Sequence, residues 1–219
     1  MQDLVIYGTG GFARETLQVA LDINEDGGTW NVLGFLDDDP EQHGQSIHDL
    51  PVLGGAGWLT NRSDVQVAVG IGSTPAKRKV VRRLADAQHS AFATLIHPRA
   101  WIGRRVGVGA GTIVCAGTMV TTDIEIGDHV ILNLDCTVGH DTQIEQFTTV
   151  APSVNISGDI RIGEGCDLGT GAAIIQGVSI GAWTVLGAGA VVVRDLPANV
   201  TAVGAPARAI KERPAGWHE

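Results

Sequence analysis

An unbroken six-residue period fills the second half of the chain. Counting from residue 102 in steps of six gives sixteen consecutive positions, and each is Ile, Leu or Val. The residue that follows is Gly in eight of the sixteen cases. A helix repeats at about 3.6 residues and a strand at 2, so neither produces this pattern. A short strand and a turn, stacked coil upon coil with the aliphatic residue inward, predict a β-solenoid of about five coils with three hexads each.

The first 96 residues show a different organisation, in which short apolar strands alternate with helical patterns. The predicted strands cover 4–8, 31–36, 65–70 and 92–96, and the predicted helices cover 12–23 and 75–88. This β-α-β-β-α-β order is typical of a small, mostly parallel, Rossmann-like sheet. We therefore predict a domain over 1–96 and a solenoid domain over 97–219. A C-terminal cap is expected from about 195 to 219, and it includes a helix over 207–212.

Charge and composition narrow the classes of function. The net charge of −9 argues against broad binding of nucleic acid or anionic membranes, which requires a basic surface. No apolar run approaches the roughly 20 residues of a membrane span, and no signal-peptide pattern is visible. The three cysteines lack a CxxC spacing, as expected for reduced thiols in the cytoplasm.

A glycine-rich turn follows the first predicted strand. Gly8, Gly10 and Ala13 fit the pattern GxGxxG/A, in which the backbone approaches a pyrophosphate at a helix N-terminus. Asp37 and Asp38, after the second strand, are placed to hold a ribose. Only 96 residues precede the solenoid, so the second half-sheet that a nicotinamide needs is missing. The pattern favours a phosphate-containing ligand over redox chemistry, with a purely structural turn as the alternative.

His140 and Asp141 are adjacent ionisable residues inside the aliphatic repeat. Position 140 lies two residues after an inward valine, which places it at a corner of a coil. Acyl transfer from a thioester to an amine needs a base, and histidine titrates near neutral pH. His129, the other histidine of the repeat, has no acidic residue after it, and we expect an exposed turn residue there.

The whole chain resembles the bacterial nucleotide-sugar acetyltransferases, a hexapeptide-repeat family that includes bacillosamine and perosamine N-acetyltransferases and sialic acid O-acetyltransferase-like proteins. The motifs that carry the resemblance are GTGG at 8–11, FLDDD at 35–39, VAVGIG at 67–72, HPRA at 97–100, HD at 140–141 and GAPAR at 204–208. The resemblance implies a left-handed parallel β-helix after the Rossmann-like domain. It also implies transfer from acetyl-CoA to the amine of a nucleotide-linked amino-dideoxy sugar, in surface-glycan biosynthesis.

The resemblance also implies the site residues. His140 would be the general base, Asp141 would support it, and Asn133 would assist. The nucleotide-linked sugar would contact Gly10, Gly11, Phe12, Asp37, Asp38, Gly70 and Arg78. Acetyl-CoA, the co-substrate, would contact Thr149, Thr170, Ala188, Ala205 and Arg208.

Two of these positions depart from the family pattern, since many relatives carry histidine at the positions of Phe12 and Thr149. No metal is expected. The resemblance implies a homotrimer with active sites between subunits.

Alternative functions remain open at this stage. O-acetylation of a sugar such as a sialic acid uses the same fold and donor. A non-catalytic nucleotide-sugar scaffold and a zinc hydratase of the gamma carbonic anhydrase type are further alternatives, although the latter needs three converging histidines. The nucleotide, which can be UDP, dTDP or GDP, and the sugar are not specified.

Overall fold

A computed structural model describes residues 1–219, and its first part is a five-stranded sheet flanked by two long helices. The strand order is β3-β4-β2-β1-β5, and every pairing is parallel except β3 with β4. The elements are β1 Gln2–Tyr7, α1 Gly11–Gly27, β2 Trp30–Leu36, β3 Ser46–Ile47, β4 Leu50–Gly54, β5 Gln66–Val69 and α2 Thr74–Asp86. Two short 3-10 helices, Pro40–Gln42 and Ala56–Leu59, complete this part. The predicted mostly parallel α/β domain is confirmed, and the β3–β4 hairpin is an addition to it.

The second part is a solenoid of very short strands. They are β6 Leu95–Ile96, β7 Trp101–Ile102, β8 Val106–Val108, β9 Ile113–Val114, β10 Met119–Val120, β11 Ile124–Ile126, β12 Ile131–Leu132, β13 Thr137–Val138, β14 Gln143–Ile144, β15 Thr149–Val150, β16 Asn155–Ile156, β17 Arg161–Ile162, β18 Asp167–Leu168, β19 Ala173–Ile174, β20 Ser179–Ile180, β21 Val185–Leu186, β22 Val191–Val192, β23 Val200–Val203 and β24 Arg208–Glu212. Equivalent strands of successive coils pair in parallel. Met119 in β10, for example, pairs with Thr137 in β13, so one coil is eighteen residues long. This length confirms three hexads per coil.

Three sheets form the sides of the solenoid, and each has its own outward chemistry. The sheet containing β9, β12, β15, β18 and β21 is covered by the first domain, and we call it the domain face. The sheet of β7, β10, β13, β16, β19 and β22 exposes Trp101 and Met119, and we call it the apolar face. The sheet of β8, β11, β14, β17 and β20 exposes Glu125, Gln143 and Arg161, and we call it the polar face.

The residues at the corners between faces adopt a left-handed backbone. Arg105, Asp123, Asp141 and Asp159 have φ near 58°, one per coil, and residues at the other two corners behave alike. Such a conformation is rare outside glycine, although Asp and Asn tolerate it better than most residues. Each hexad therefore supplies an inward aliphatic residue and one left-handed corner residue.

The first domain packs on the domain face through an apolar contact. Ile113 and Ile131 point outward from the solenoid, yet both are buried in one cluster with Leu4, Val19 and Ala68 of the first domain. Burial of apolar surface stabilises such a contact by about 25 cal/mol per Å². Two parts that are distinct in sequence are thus joined by a shared core.

The expectation that His129 is exposed is wrong. His129 is 6% exposed, and its ring lies 4.6 Å from the ring of Phe92 and 5.4 Å from that of Phe147. Burial, and then the charge of nearby Lys77, lower the pKa of His129 to about 4. We call the corner between the polar face and the domain face the His129 corner. The first domain covers it, and the hexad pattern alone does not predict this contact.

Two predicted elements take a different form. The strand predicted over 92–96 is divided, because Phe92 forms an isolated bridge to Val67 whereas Leu95–Ile96 pairs with Ile113–Val114 of the solenoid. The helix predicted over 207–212 is the strand β24, which pairs antiparallel with β23. The open edge of the last coil offers unpaired backbone groups, and a strand satisfies them directly. Neither α1 nor α2 has the length and apolar character of a membrane-spanning helix.

Removal of an inward aliphatic side chain should destabilise the solenoid strongly. Leu168 is fully buried, so Leu168→Ala should lower the free energy of unfolding by about 2–5 kcal/mol, measured by urea denaturation. Leu21, on the outer side of α1, is 40% exposed and provides the matched control, with an expected change within about 0.5 kcal/mol. Equal effects of the two substitutions would contradict the inward assignment of the hexad positions.

Candidate active site

His140 and Asp141 form a paired side-chain site at the corner between the apolar face and the polar face, which we call the His140 corner. The distance from His140 Nδ1 to Asp141 Oδ2 is 2.8 Å, and the two side chains are 54% and 63% exposed. When Nδ1–H donates a hydrogen bond to the carboxylate, the neutral ring carries its free lone pair on Nε2. The arrangement can therefore present a base to a ligand on the surface of the solenoid.

The next coil leaves room for the His140 ring. A Cβ atom built on Gly158 would lie 2.6 Å from both Cε1 and Nε2 of His140, so a larger residue would displace the imidazole. On the preceding coil, Arg105 lies 2.6 Å from Asp123 and pairs with it. The His140 ring thus lies over a glycine, and Arg105 is already paired with a carboxylate.

Asn133 lies at a different corner, between the domain face and the apolar face, which we call the Asn133 corner. Its side-chain oxygen accepts a 2.8 Å hydrogen bond from the backbone N–H of Leu134, which leaves its amide group free to donate. Thr170 and Ala188 lie at the same corner, two and three coils further on and in line with Leu134, and Gly189 N donates to Thr170 O at 2.8 Å. Both Thr170 and Ala188 are exposed.

A single chain does not bring His140 and Asn133 together. The strand β13 separates the two corners, and the seven residues from Asn133 to His140, at about 3.3 Å each and shortened by the turns, correspond to roughly 15–20 Å. The apolar face, with Trp101 53% exposed and Met119 49% exposed, lies between the corners. The predicted catalytic residues therefore occupy opposite edges of one exposed surface.

The segment 204–208 closes the far end of the apolar face. Val191 N donates to Gly204 O at 3.0 Å, and Ala207 N donates to Val191 O at 2.7 Å. Ala205 and Arg208 in this segment are exposed. They are therefore accessible to a ligand that extends along the Asn133 corner toward the C-terminus.

The glycine turn of the first domain is open to ligand. Gly10 precedes α1 without any side-chain cap, and neither Gly10 nor Gly11 has another part of the chain closer than 3.9 Å to a built Cβ. Asp37 accepts from the Thr9 hydroxyl at 2.7 Å, and Asp38 accepts from Tyr7 at 2.6 Å and pairs with Arg83. The structure thus groups both aspartates with the turn.

Gly70 and Arg78, which we expect to contact the nucleotide-linked sugar, are both buried. Gly70 is buried beneath α1, where a built Cβ would lie 2.7 Å from the Cα of Ala13. Arg78 points toward the solenoid, 3.7 Å from Glu164 and 5.1 Å from the ring centre of Trp183. The cation beside Asp38 is Arg83, which sequence reasoning missed because nothing in the spacing of α2 distinguishes it.

Phe12 connects the glycine turn to the solenoid. The ring is half-buried and packs against the cluster that contains Ile113 and Ile131. Asn133 follows Ile131 by two residues, so the turn and the Asn133 corner are neighbours. A cavity of about 230 Å³ lies between α1 and this corner, and its lining includes Glu15, Gln18, Cys115, Ala116 and Leu134.

Thr149 lies inside the domain contact and not on the corner that carries Thr170 and Ala188. Its side chain is buried, and its hydroxyl donates to Gly72 O at 2.9 Å and accepts from Lys77 Nζ at 3.0 Å. Burial lowers the pKa of Lys77 to about 7, and Asp167 partly opposes this shift. Burial in turn raises the pKa of Asp167. This buried lysine was not among the predicted site residues, since its sequence context is an ordinary helix.

Comparison with known proteins gives matches over both parts of the chain. A family model described as the PglD N-terminal domain matches residues 3–84. A GDP-perosamine N-acetyltransferase from Escherichia coli O157:H7 is 30% identical over 95% of this chain and 96% of its own length.

Two solved structures are similar over nearly the full chain. The acetyltransferase domain of PglB from Neisseria gonorrhoeae is 30% identical with a TM-score of 0.86, and the match covers 96% of this chain and 100% of that one. PerB from Caulobacter crescentus, solved with CoA and GDP-perosamine, is 34% identical with a TM-score of 0.84 over 96% and 98% of the two chains. The fold is accordingly a Rossmann-like α/β domain followed by a left-handed parallel β-helix.

The buried charge of Lys77 should make stability depend on pH in a defined direction. Between about pH 7 and 10.5 the unfolded chain holds a proton on this amine that the folded chain lacks, so this residue's contribution to stability rises with pH. Lys77→Met should therefore stabilise the protein most below pH 7, with a benefit that shrinks by pH 9. Urea denaturation at pH 6.5 and 9 measures this difference.

Lys79→Met is the matched control, because Lys79 is exposed on the same helix. It should change stability little at either pH. A benefit of Lys77→Met that is equal at both pH values would show that the buried amine does not titrate in this range.

Proposed function

The chain belongs to the family of nucleotide-sugar acetyltransferases, and on that premise we propose that it transfers the acetyl group of acetyl-CoA to the amine of a nucleotide-linked amino-dideoxy sugar. The proposal is supported by the hydrogen-bonded His140–Asp141 pair and the free Asn133 amide, which lie on the two edges of one exposed apolar face. The open glycine turn beside the Asn133 corner supports a nucleotide-linked acceptor.

The chemistry of His140 follows from its free nitrogen. The sugar amine attacks the carbonyl carbon of the thioester, and His140 Nε2 takes the proton that the attacking nitrogen loses. When the tetrahedral intermediate collapses, the C–S bond breaks, and the imidazolium returns that proton to the departing sulfur. Asp141, which accepts from Nδ1, holds the tautomer that keeps Nε2 available and stabilises the imidazolium.

Asn133 and the corner column beyond it would serve the donor. The free amide of Asn133 can donate to the oxygen on which negative charge develops. Thr170 and Ala188 are exposed along the same column and would accompany the pantetheine arm, with Ala205 and Arg208 further along toward the adenine end. These last four residues are exposed, as contact with CoA requires. Similar proteins have been solved with acetyl-CoA or CoA bound, which supports a CoA site in this chain.

A site shared between subunits would bring together the residues proposed for the base and for the donor site, which lie apart in one chain. Because His140 and Asn133 lie at opposite edges of the apolar face, a second copy packed on that face would bring the His140 corner of one chain to the Asn133 corner of the next. A closed ring of three chains gives each corner a partner, with three equivalent sites. The exposed Trp101 and Met119 would be buried in such an assembly.

The proposed reaction is tested by thiol release from acetyl-CoA with a panel of UDP-, dTDP- and GDP-linked amino-dideoxy sugars. We expect release with one amino sugar and a fall in kcat of about 10²–10⁴-fold for His140→Ala, because general-base catalysis contributes about that much. The matched control is His48→Ala, a substitution of an exposed histidine in the turn between β3 and β4.

The outcomes of this assay separate the competing functions. Release with the hydroxyl analogue but not with the amine would establish O-acetylation instead. Release that survives His140→Ala would remove the histidine from its role. No release with any acceptor would favour a non-catalytic nucleotide-sugar scaffold.

Mixed assemblies test whether the site is shared. His140→Ala and Asn133→Ala should each lose most activity alone. In cyclic trimers formed by co-expressing the two variants equally, about a quarter of the sites would combine an intact His140 with an intact Asn133 from the neighbour. Activity should therefore recover to about a quarter of the wild-type value. If the mixture remains as inactive as the single variants, the two residues do not act across a subunit boundary.

A further inference from the structure

Lys77 is a buried lysine that the proposed chemistry leaves without a role. Its side chain is 1% exposed, although it belongs to α2 of the first domain. The Nζ atom lies 3.0 Å from the Thr149 hydroxyl and 3.4 Å from the Thr148 carbonyl oxygen, both on the solenoid. The amine therefore reaches across the domain boundary and hydrogen-bonds to the other part of the chain.

The Thr149 hydroxyl continues this contact back to the first domain. It donates to the carbonyl oxygen of Gly72 at 2.9 Å while it accepts from Lys77. A hydroxyl has one proton to donate and lone pairs to accept with, so a single threonine satisfies both partners. Lys77, Thr149 and Gly72 thus form a closed link between the start of α2, the solenoid and the loop 70–73.

That loop lies beside the glycine turn. A Cβ built on Gly8 would be 3.2 Å from the Gly70 carbonyl oxygen and 3.1 Å from the Ile71 side chain. Both segments follow the carboxyl ends of neighbouring parallel strands, β1 and β5, where α/β sheets bind their ligands. On the solenoid side, Thr149 pairs with Ile131, which precedes Asn133 by two residues. The link therefore joins the nucleotide end of the first domain to the coil next to the Asn133 corner.

Packing alone does not account for a lysine at this position. Asp167 and His129 are the titratable groups that influence the amine, and no carboxylate lies within 4.0 Å of it to form an ion pair. A buried charge without such a partner is costly, and an apolar residue of the same volume usually gives a more stable protein. What the lysine adds is a pair of directed hydrogen bonds to two specific atoms of the solenoid.

We propose that Lys77 and Thr149 are positioning residues that fix the loop 70–73 on the solenoid, so that a nucleotide-linked sugar held in the first domain reaches the acyl-transfer edge. The inference rests on the proposed function for the identity of the ligand. It assigns position 149 to acceptor placement and not to contact with the thioester. Neither residue touches the reacting atoms, so their loss should alter acceptor binding more than donor binding.

The test compares Lys77→Met, Thr149→Val and Thr149→Ser with the wild type. For the Met and Val variants we expect the KM for the nucleotide-linked sugar to rise by up to about 10-fold, the scale of one lost hydrogen bond, and the KM for acetyl-CoA to change less than about twofold. Thr149→Ser keeps the hydroxyl and should retain most of the wild-type affinity. The double variant should be no worse than the poorer single variant, because both break one link.

A second measurement does not depend on turnover. Amide hydrogen exchange of residues 70–74, in protein without substrates, should be faster in Lys77→Met and Thr149→Val than in the wild type and in the exposed control Lys79→Met. For Lys77→Met this faster exchange should accompany unchanged or increased global stability, which general destabilisation would not produce.

Unchanged exchange in this segment, or an equal rise in the KM values of both substrates, would overturn the positioning role. The proposed function fails separately, if the wild type acetylates no nucleotide-linked acceptor. The exchange comparison would still decide whether Lys77 and Thr149 hold the loop.

Discussion

The left-handed corner residue is the constraint on which the rest of the structure depends. Every hexad must turn the chain, and it does so with a positive φ at positions such as Gly117, Asp123 and His129. For a residue other than glycine this conformation costs about 1–2 kcal/mol, which limits the residue types that can occupy the corners. Because all corners share one backbone geometry, their side chains can serve different purposes without changing the coil. The His140 corner carries a histidine–aspartate pair, the Asn133 corner carries a free amide, and the His129 corner carries buried aromatic rings.

The His129 corner explains how the two parts of the chain are held in a defined arrangement. His129, Phe147 and Trp183 are bulky residues in the left-handed conformation, and all three are buried. Phe147 belongs to the same buried cluster as Val80 and Leu84 of α2, so the packing that closes this corner compensates for the local backbone strain. The consequence for function is geometric. With α2 fixed here and α1 fixed on Ile113 and Ile131, the glycine turn has one position relative to the Asn133 corner.

The fold and the position of the His140–Asp141 pair at a solenoid corner were largely predictable from sequence, whereas contacts between the two parts were not. The period of six predicted the coils, and an adjacent histidine and aspartate in an aliphatic repeat pointed to His140 because such a pair has no packing role. Burial of His129, by contrast, depends on Phe92, which lies far away in sequence and in a segment predicted as a plain strand. The sequence around Lys77 is typical of a solvent-exposed helix residue, and only the fold shows that the solenoid covers it. The terminal strand β24 forms because an open sheet edge is available. The local sequence over 207–212 does not indicate that this edge is nearby.

A crystal structure of the assembled protein with CoA and the nucleotide-linked acceptor would show whether two subunits build one site. We expect Nε2 of His140 from one subunit within hydrogen-bond distance of the acceptor amine, with Asn133 of the neighbouring subunit on the other side of the acyl group. The acceptor's nucleotide should lie at the glycine turn of the subunit that contributes Asn133. A structure in which His140 faces solvent, remote from both ligands, would rule out a shared site with His140 as the base.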